Sequence, residues 1–358
     1  YTDSSCPALL LEPQRTNEWS YSEYGSGNYL VGSPIITENY AVSPEGVSNA
    51  FRIQDTTGST FKRISLSSSG LSVSANSTYT QSLFVKKATS EITDYGGIGF
   101  DFTGGSTRKI AYVIFDEYNG TLTELASGFP AITTLHPVED YGNYWRFSVS
   151  VADNGSNTNM GLNIYACLSI NGVSVGTGQN DWTGYGLQLE AGSYATSYIP
   201  TYGAGVTRNA DACFGAGDAS TFNSTEGVLY AEIAAFNESG PSAGVVSLND
   251  GSNTNRVKIE LDAGQIKVRI DTTAGQVASL NYTIAITNYL KIAVKWKAND
   301  YALWINGIEG PTDISGASFV ADTLSKLSFN RGDGNEVFNG TTKEVIVFPT
   351  ALSDADLE

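Results

Sequence analysis

Residues 181–214, DWTGYGLQLEAGSYATSYIPTYGAGVTRNADACF, decide how the chain is divided. Tyr185, Leu187 and Leu189 alternate with Gly186, Gln188 and Glu190, the two-residue period of a strand with one buried face. Ala191-Gly192 breaks that alternation, Tyr198-Ile199-Pro200-Thr201 makes a short extended exit, and residues 202–205 have the small, glycine-rich composition of a linker. The strand therefore closes one β-body and the linker leads to another. The expected division is 1–202, a linker at 203–217, and 218–358.

Upstream, 50–53, 61–66, 79–87, 97–102, 108–115, 144–151 and 160–170 read as strands, with turns at Ser69-Gly70, Gly104-Gly105, Asn119-Gly120, Asn154-Gly155 and Asn171-Gly172. Ala8-Leu9-Leu10-Leu11 is too short for a helix and too apolar to stay in water. It reads as the first strand of the N-terminal sandwich or as an arm that pairs with a neighbouring subunit. Downstream, the best-defined element is 289–297 with 301–305, where Ile292, Val294 and Trp296 share a face and Lys291, Lys295 and Lys297 stay wet. Further strands are expected at 228–235, 244–248, 256–261, 266–270, 326–330 and 343–348, and a short terminal helix capped by Ser353. Short strands without intervening helices make the chain all-β, two antiparallel β-sandwich (jelly-roll) domains in tandem.

GLQLEAG, ATSYIPT and VTRNAD, with LLLEPQRTN near the start, resemble the paired β-sandwich modules of phage tail and virion-appendage proteins and of related bacterial surface proteins. The first part is similar to carbohydrate-binding-module jelly rolls. From Arg208 onward, KIAVKWKANDYALWINGIEG and KEVIVFPTALSDADL resemble the concanavalin A-like, laminin-G-like lectin and glucanase fold. The resemblance implies display outside the cell or on a virion.

The 358 residues carry a formal charge of −17, which repels phosphate and argues against nucleic acid or an anionic membrane as partner. No apolar run reaches the roughly twenty residues of a spanning helix, so no membrane insertion is expected. Beginning at Tyr1, the chain reads as a processed form, an excised fragment or the ordered part of a longer one. Cys6, Cys167 and Cys213 cannot all pair within one chain.

No catalytic constellation emerges. Concanavalin A-like glucanases place carboxylates at i, i+2 and i+5, and Glu260, Asp262 and Gln265 match that spacing with a glutamine where the acid belongs. Asp262-Ala263-Gly264 also reads as a turn. The single His136 lacks partners for a triad or a zinc site. The chain is expected not to be an enzyme. Sugar binding needs an exposed aromatic face with amides or carboxylates nearby, and Trp19, Tyr21, Tyr24, Tyr29, Tyr141, Tyr144, Asn180, Asp181 and Trp182 are the candidates. Trp145, Trp296 and Trp304 read as core. Calcium is the candidate cofactor, with donors at Asn249, Asp250, Asp333, Asn335 and Glu336. Sequons fall at Asn76, Asn119, Asn154, Asn223, Asn237, Asn281 and Asn339. The expected function is glycan binding or adhesion at a polysaccharide or cell-surface glycan. The alternatives are a structural subunit of a fibre or oligomer and an accessory module of a polysaccharide-degrading enzyme.

Overall fold

The computed structural model describes all residues except 1–7, 59–60, 127–129, 154, 171–172, 176–177 and 238–243. Cys6, Asn154 and the turn at 171–172 lie outside the described residues. The chain divides into two compact units: residues 14–209, and residues 210–358 together with the N-terminal residues through Pro13. Both are all-β, and the pairs between named strands are antiparallel.

In the 14–209 unit, one sheet runs Thr121–Leu125, Lys109–Asp116, Asp94–Thr103, Asn159–Ile170, Arg63–Ser65, Tyr29–Val31. The other runs Ile132–Leu135, Tyr144–Ala152, Thr78–Lys86, Asn180–Ala191, Ser48–Asp55, Ile35–Val42. Their inner faces enclose Phe51, Ile53, Leu83, Val85, Phe100, Phe102, Val113, Phe115, Phe147, Leu187 and Leu189. Each such side chain contributes about 1.5–3 kcal/mol by leaving water.

The dividing strand differs from its expected form. Asn180–Ala191 is buried on both faces, because the segment after it folds back over the Gln188 and Glu190 side. Gln188 Oε1 accepts the Ile199 N–H at 2.6 Å, and its Nε2 donates to the Thr196 and Ser197 carbonyls at 3.1 and 3.3 Å. Glu190 Oε2 accepts the Thr196 N–H at 3.0 Å, and Arg146 donates to the Thr196 carbonyl. The polar stripe holds a loop rather than facing water. At Gly186 the backbone has φ +65°, and the pairing with Thr78–Lys86 shifts register between Tyr185 and Gln188. Such a bulge needs a residue free to enter the left-handed region.

Leu9–Leu11 also departs from the expectation of a strand in the first sandwich. It pairs with Gly340–Phe348, and Leu11 is buried in the core of the 210–358 unit. Part of the stretch read as linker is a strand: Val206–Arg208 pairs with Arg15–Asn17. Its backbone groups thereby find partners instead of remaining open to water.

The second unit stacks the sheet Leu9–Leu11, Gly340–Phe348, Glu226–Ala235, Leu290–Lys297, Tyr301–Ile305, Ile308–Asp313 on the sheet Gly275–Thr283, Gln265–Thr272, Arg256–Asp262, Gly244–Asn249, Lys326–Ser328. Trp296 lies in the core and donates Nε1–H to the Ser224 carbonyl at 3.1 Å. Lys295, expected to stay wet, is buried and paired with Asp300 and Asp354, each at 3.0 Å. The C-terminal segment causes this, since Leu352 and Leu357 pack on Val228, Ala293, Ala302 and Trp304. The helix Asp354–Leu357 begins after Ser353, whose Oγ donates to Asp356 Oδ2 at 2.5 Å.

Candidate ligand groove

The expected sugar-stacking aromatics separate into two groups. Trp19 is fully buried and donates Nε1–H to Gln81 Oε1 at 2.8 Å. Tyr144 is buried with its hydroxyl donated to the Val42 carbonyl at 2.8 Å, and Trp182 is buried with Nε1–H on the Tyr165 carbonyl at 3.2 Å. These three faces are closed to any ligand, because the sandwich needs their area for its core. Tyr141, Tyr24 and Tyr29 are exposed and Tyr21 is half-buried. Tyr141 packs edge-on against Phe84, and Tyr24 meets Tyr202, whose hydroxyl donates to Glu23 Oε1 at 2.8 Å. Trp145 is half-buried against the core.

Asn180, Asp181 and Trp182 do converge, in a groove of about 340 Å³ on the 14–209 unit. Ile35–Val42 brings Tyr40, 49% exposed, and Ser48–Asp55 brings Arg52. The Arg52 guanidinium lies 5.0 Å from the Tyr40 ring centroid and pairs with Asp181, which also accepts from Gln54 Nε2 at 3.2 Å. Lys86 and Lys87 come from the end of Thr78–Lys86 and the residue after it. Lys87 sits 3.7 Å above the Trp145 ring and 2.6 Å from Asp140 Oδ1.

Glu117 completes the groove from the opposite sheet, in the turn after Lys109–Asp116. Asp116 Oδ1 accepts the Tyr118 and Asn119 N–H groups, each at 2.9 Å, which closes the turn. Gly120 has φ +66° there, and a Cβ on it would meet the Trp145 ring at 2.7 Å. The Glu117 carbonyl accepts Trp145 Nε1–H and Ala88 N–H, both at 3.0 Å. Glu117 is 4% exposed, and its Oε2 has no hydrogen-bond partner of good geometry. Burial pushes its pKa up to about 8, Asp116 acts in the same direction, and the residue's own N–H and the Asn180 amide oppose. Asn180 Oδ1 accepts the Asp181 N–H at 2.9 Å, and the amide nitrogen faces the Glu117 carboxyl. Tyr40, Arg52, Lys86, Lys87 and Glu117 are among the groove residues that sequence reading missed. The acidic pair Asp116-Glu117 after the apolar run IAYVIF was the one signal available.

The calcium donors are engaged otherwise. Arg331 pairs with Asp333 and Glu336, each at 2.7 Å, and holds the Asp333 carboxyl well below the usual range. Asn335 donates its N–H to Asp333 at 3.1 Å, and Lys258 adds a second cation 3.4 Å from Glu336. Asn249 bonds Gly251 and Ser247, and Asp250 accepts from Ser252 and Asn255. Asn249, Asp250, Asp333 and Glu336 do not fit a calcium ion, because cations and N–H or O–H donors already occupy their oxygens. Among the described residues no group of three or more His, Cys, Asp or Glu could hold a metal. Glu260 and Asp262 share one strand, while Gln265 opens the next beyond a turn with Ala263 at φ +48°. Lys258 pairs with Glu260, and Lys267 with Asp262. His136 Nε2 lies 2.6 Å from Ser150 Oγ.

Of the sequons, Asn76, Asn119 and Asn281 are exposed, while Asn223, Asn237 and Asn339 are half-buried. Asn223 Nδ2 donates to the Pro349 carbonyl at 2.7 Å and Asn119 Nδ2 to Asp116 at 2.8 Å. Among the described residues no helix is long and apolar enough to cross a membrane.

No family model matches the chain, and no curated protein matches it. Among solved structures it is similar to the CBM40 module of the Ruminococcus gnavus IT-sialidase bound to α2,3-sialyllactose, at 15% identity over 41% of this chain and 94% of that one, with TM-score 0.34. It is similar to domains LG4-5 of the mouse laminin α1 chain, at 9% identity over 99% and 96%, TM-score 0.28. The LG1-3 region of the laminin α2 chain matches at 12% identity over 80% and 65%, TM-score 0.31. These likenesses are remote, and the architecture rests on the strands themselves.

Proposed function

We propose that this chain is a non-catalytic glycan-binding protein, displayed outside the cell or on a virion, that holds saccharide in the groove of its 14–209 unit. The groove supports this reading: a half-exposed tyrosine ring, fixed by a guanidinium, stands beside amide, carboxylate, hydroxyl and amine groups. A pyranose presents that same pairing of C–H face and hydroxyl edge. An accessory module of a polysaccharide-degrading enzyme would bind by the same surface.

Capture on a glycan array tests it. Wild-type protein should be retained on a subset of saccharides, and Tyr40→Ala or Asp181→Ala should reduce retention at least about tenfold. Tyr29→Ala, exposed but outside the groove, should leave it unchanged. Retention on no saccharide would sink the reading. So would β-glucan hydrolysis by the chain that Glu260→Gln abolishes.

A further inference from the structure

Phe214 is 69% exposed although its backbone is held in place. The Cys213 carbonyl accepts the Phe329 N–H at 2.8 Å, and Ala216 exchanges both backbone hydrogen bonds with Leu327, so residues 213–216 run as an added edge along Lys326–Ser328. Cys213 packs against the core of the 210–358 unit, and the alternation of extended backbone then turns Phe214 outward. A single exposed ring is ordinary on a protein surface, and what stands beside it decides its meaning.

Beside this ring lies a groove of about 460 Å³, with Gly251, Gly332 and Gly334 on its wall and the buried Ser328 and Asn330 at its floor. A Cβ on Gly215 or Gly334 would meet nothing within 4 Å, so the margins are clear. At Gly332 a Cβ would fall 2.4 Å from the Ser252 carbonyl oxygen, which keeps that wall bare backbone. The floor offers donors. Asn330, 5% exposed, accepts the Gly332 N–H on Oδ1 at 2.7 Å, while its NH2 group takes no partner in the chain and is not sealed from water. The Ser328 hydroxyl accepts the Gly215 N–H at 3.3 Å with its own proton uncommitted. Lys326 extends over Gly251, where a Cβ would lie 2.6 Å from Nζ, and it pairs with no carboxylate among the described residues. Nearby, Asp250 is taken by Ser252 and Asn255, and Asp333 and Glu336 by Arg331. With these carboxylates beside it the groove carries no basic excess, which suits an uncharged ligand.

We propose that this groove is a second saccharide site, carried by the 210–358 unit, for a pyranose of a neutral glycan. The C–H face of the sugar stacks on Phe214, and its oxygens accept from the Asn330 NH2 group, the Ser328 hydroxyl and the Lys326 ammonium. The site shares no residue with the groove of the 14–209 unit and does not rest on it.

The test uses the full chain carrying Tyr40→Ala and Asp181→Ala, which disables the first groove. Calorimetric titration with cellohexaose, xylohexaose, mannohexaose and laminarihexaose should show binding of at least one. In that background Phe214→Ala should weaken binding at least about tenfold and Lys326→Met about threefold. Hydrogen exchange should slow at 213–216 and 330–334 in the bound chain, with Thr78–Lys86 unchanged. Circular dichroism melts establish that every variant is folded. Binding of none of these sugars, or undiminished binding in folded Phe214→Ala, overturns the second site. Array retention of wild type with no binding by the Tyr40→Ala, Asp181→Ala chain removes this site and leaves the first groove standing. Binding by that chain, with wild-type retention indifferent to Tyr40→Ala and Asp181→Ala, removes the first groove and leaves this site.

Discussion

Gln188 Nε2 donates to Glu190 Oε2 at 2.9 Å, with neither side chain exposed to solvent. Two residues on the polar stripe of the dividing strand thus form a buried pair whose remaining valences bind the backbone at Thr196, Ser197 and Ile199. Thr196 Oγ1 donates to Glu190 Oε1. Truncating either member strands several groups at once, at about 1–3 kcal/mol each. Gln188→Ala or Glu190→Ala should lower the stability of the 14–209 unit by about 2–4 kcal/mol, read by urea unfolding. Loss under about 0.5 kcal/mol in both would mean that the network does not hold the loop.

Trp19 is core rather than ligand surface. Trp19→Phe removes the Nε1–H bond to Gln81 Oε1 and should cost about 1–3 kcal/mol in thermal unfolding while glycan retention stays at the wild-type level. A stable variant that no longer binds would return Trp19 to the ligand site.

Glu117 makes stability depend on pH. Its folded pKa, about 8, lies above the ordinary 4.5, so the unfolded state gives up the proton first as pH rises. The stability it contributes is fully present below about pH 4.5 and is lost progressively up to about pH 8. The unfolding free energy of wild type relative to Glu117→Gln should fall across that window and level off above it. A difference that is flat with pH would show that the carboxyl ionises freely in the fold.

Leu11 fills the core beside Gly340–Phe348. Leu11→Asp should cost about 3 kcal/mol or more. Hydrogen exchange should locate the loss of protection in Gly340–Phe348 and its partner Glu226–Ala235, with Thr78–Lys86 unchanged. Ordered polymers that Leu11→Asp abolishes without altering exchange in the isolated chain would instead favour the strand-donating fibre subunit.

The legible elements are those whose alternation is long and whose buried face is apolar. Thr78–Lys86, Lys109–Asp116, Leu290–Lys297 and Tyr301–Ile305 lie within a residue or two of their expected bounds. Ile35–Val42 was not legible. It is an edge strand, exposed over much of its length and broken by Asn39 at φ +52°, so no apolar period marks it, although it carries Tyr40 into the groove. Glu117 and Asn180 are 63 positions apart and lie on opposite sheets, a proximity no local pattern encodes.

By itself the sequence determined that the chain is all-β and where most strands run, because side-chain alternation and turn chemistry act between near neighbours. Only the tertiary structure decided which polar residues leave water. Gln188, Glu190, Lys295 and Glu117 look alike as letters, and their burial depends on segments that return from elsewhere in the chain to cover them. Packing of the two sheets of the 14–209 unit closed Trp19 and Trp182 to solvent and placed the Asn180 amide against the buried Glu117 carboxyl.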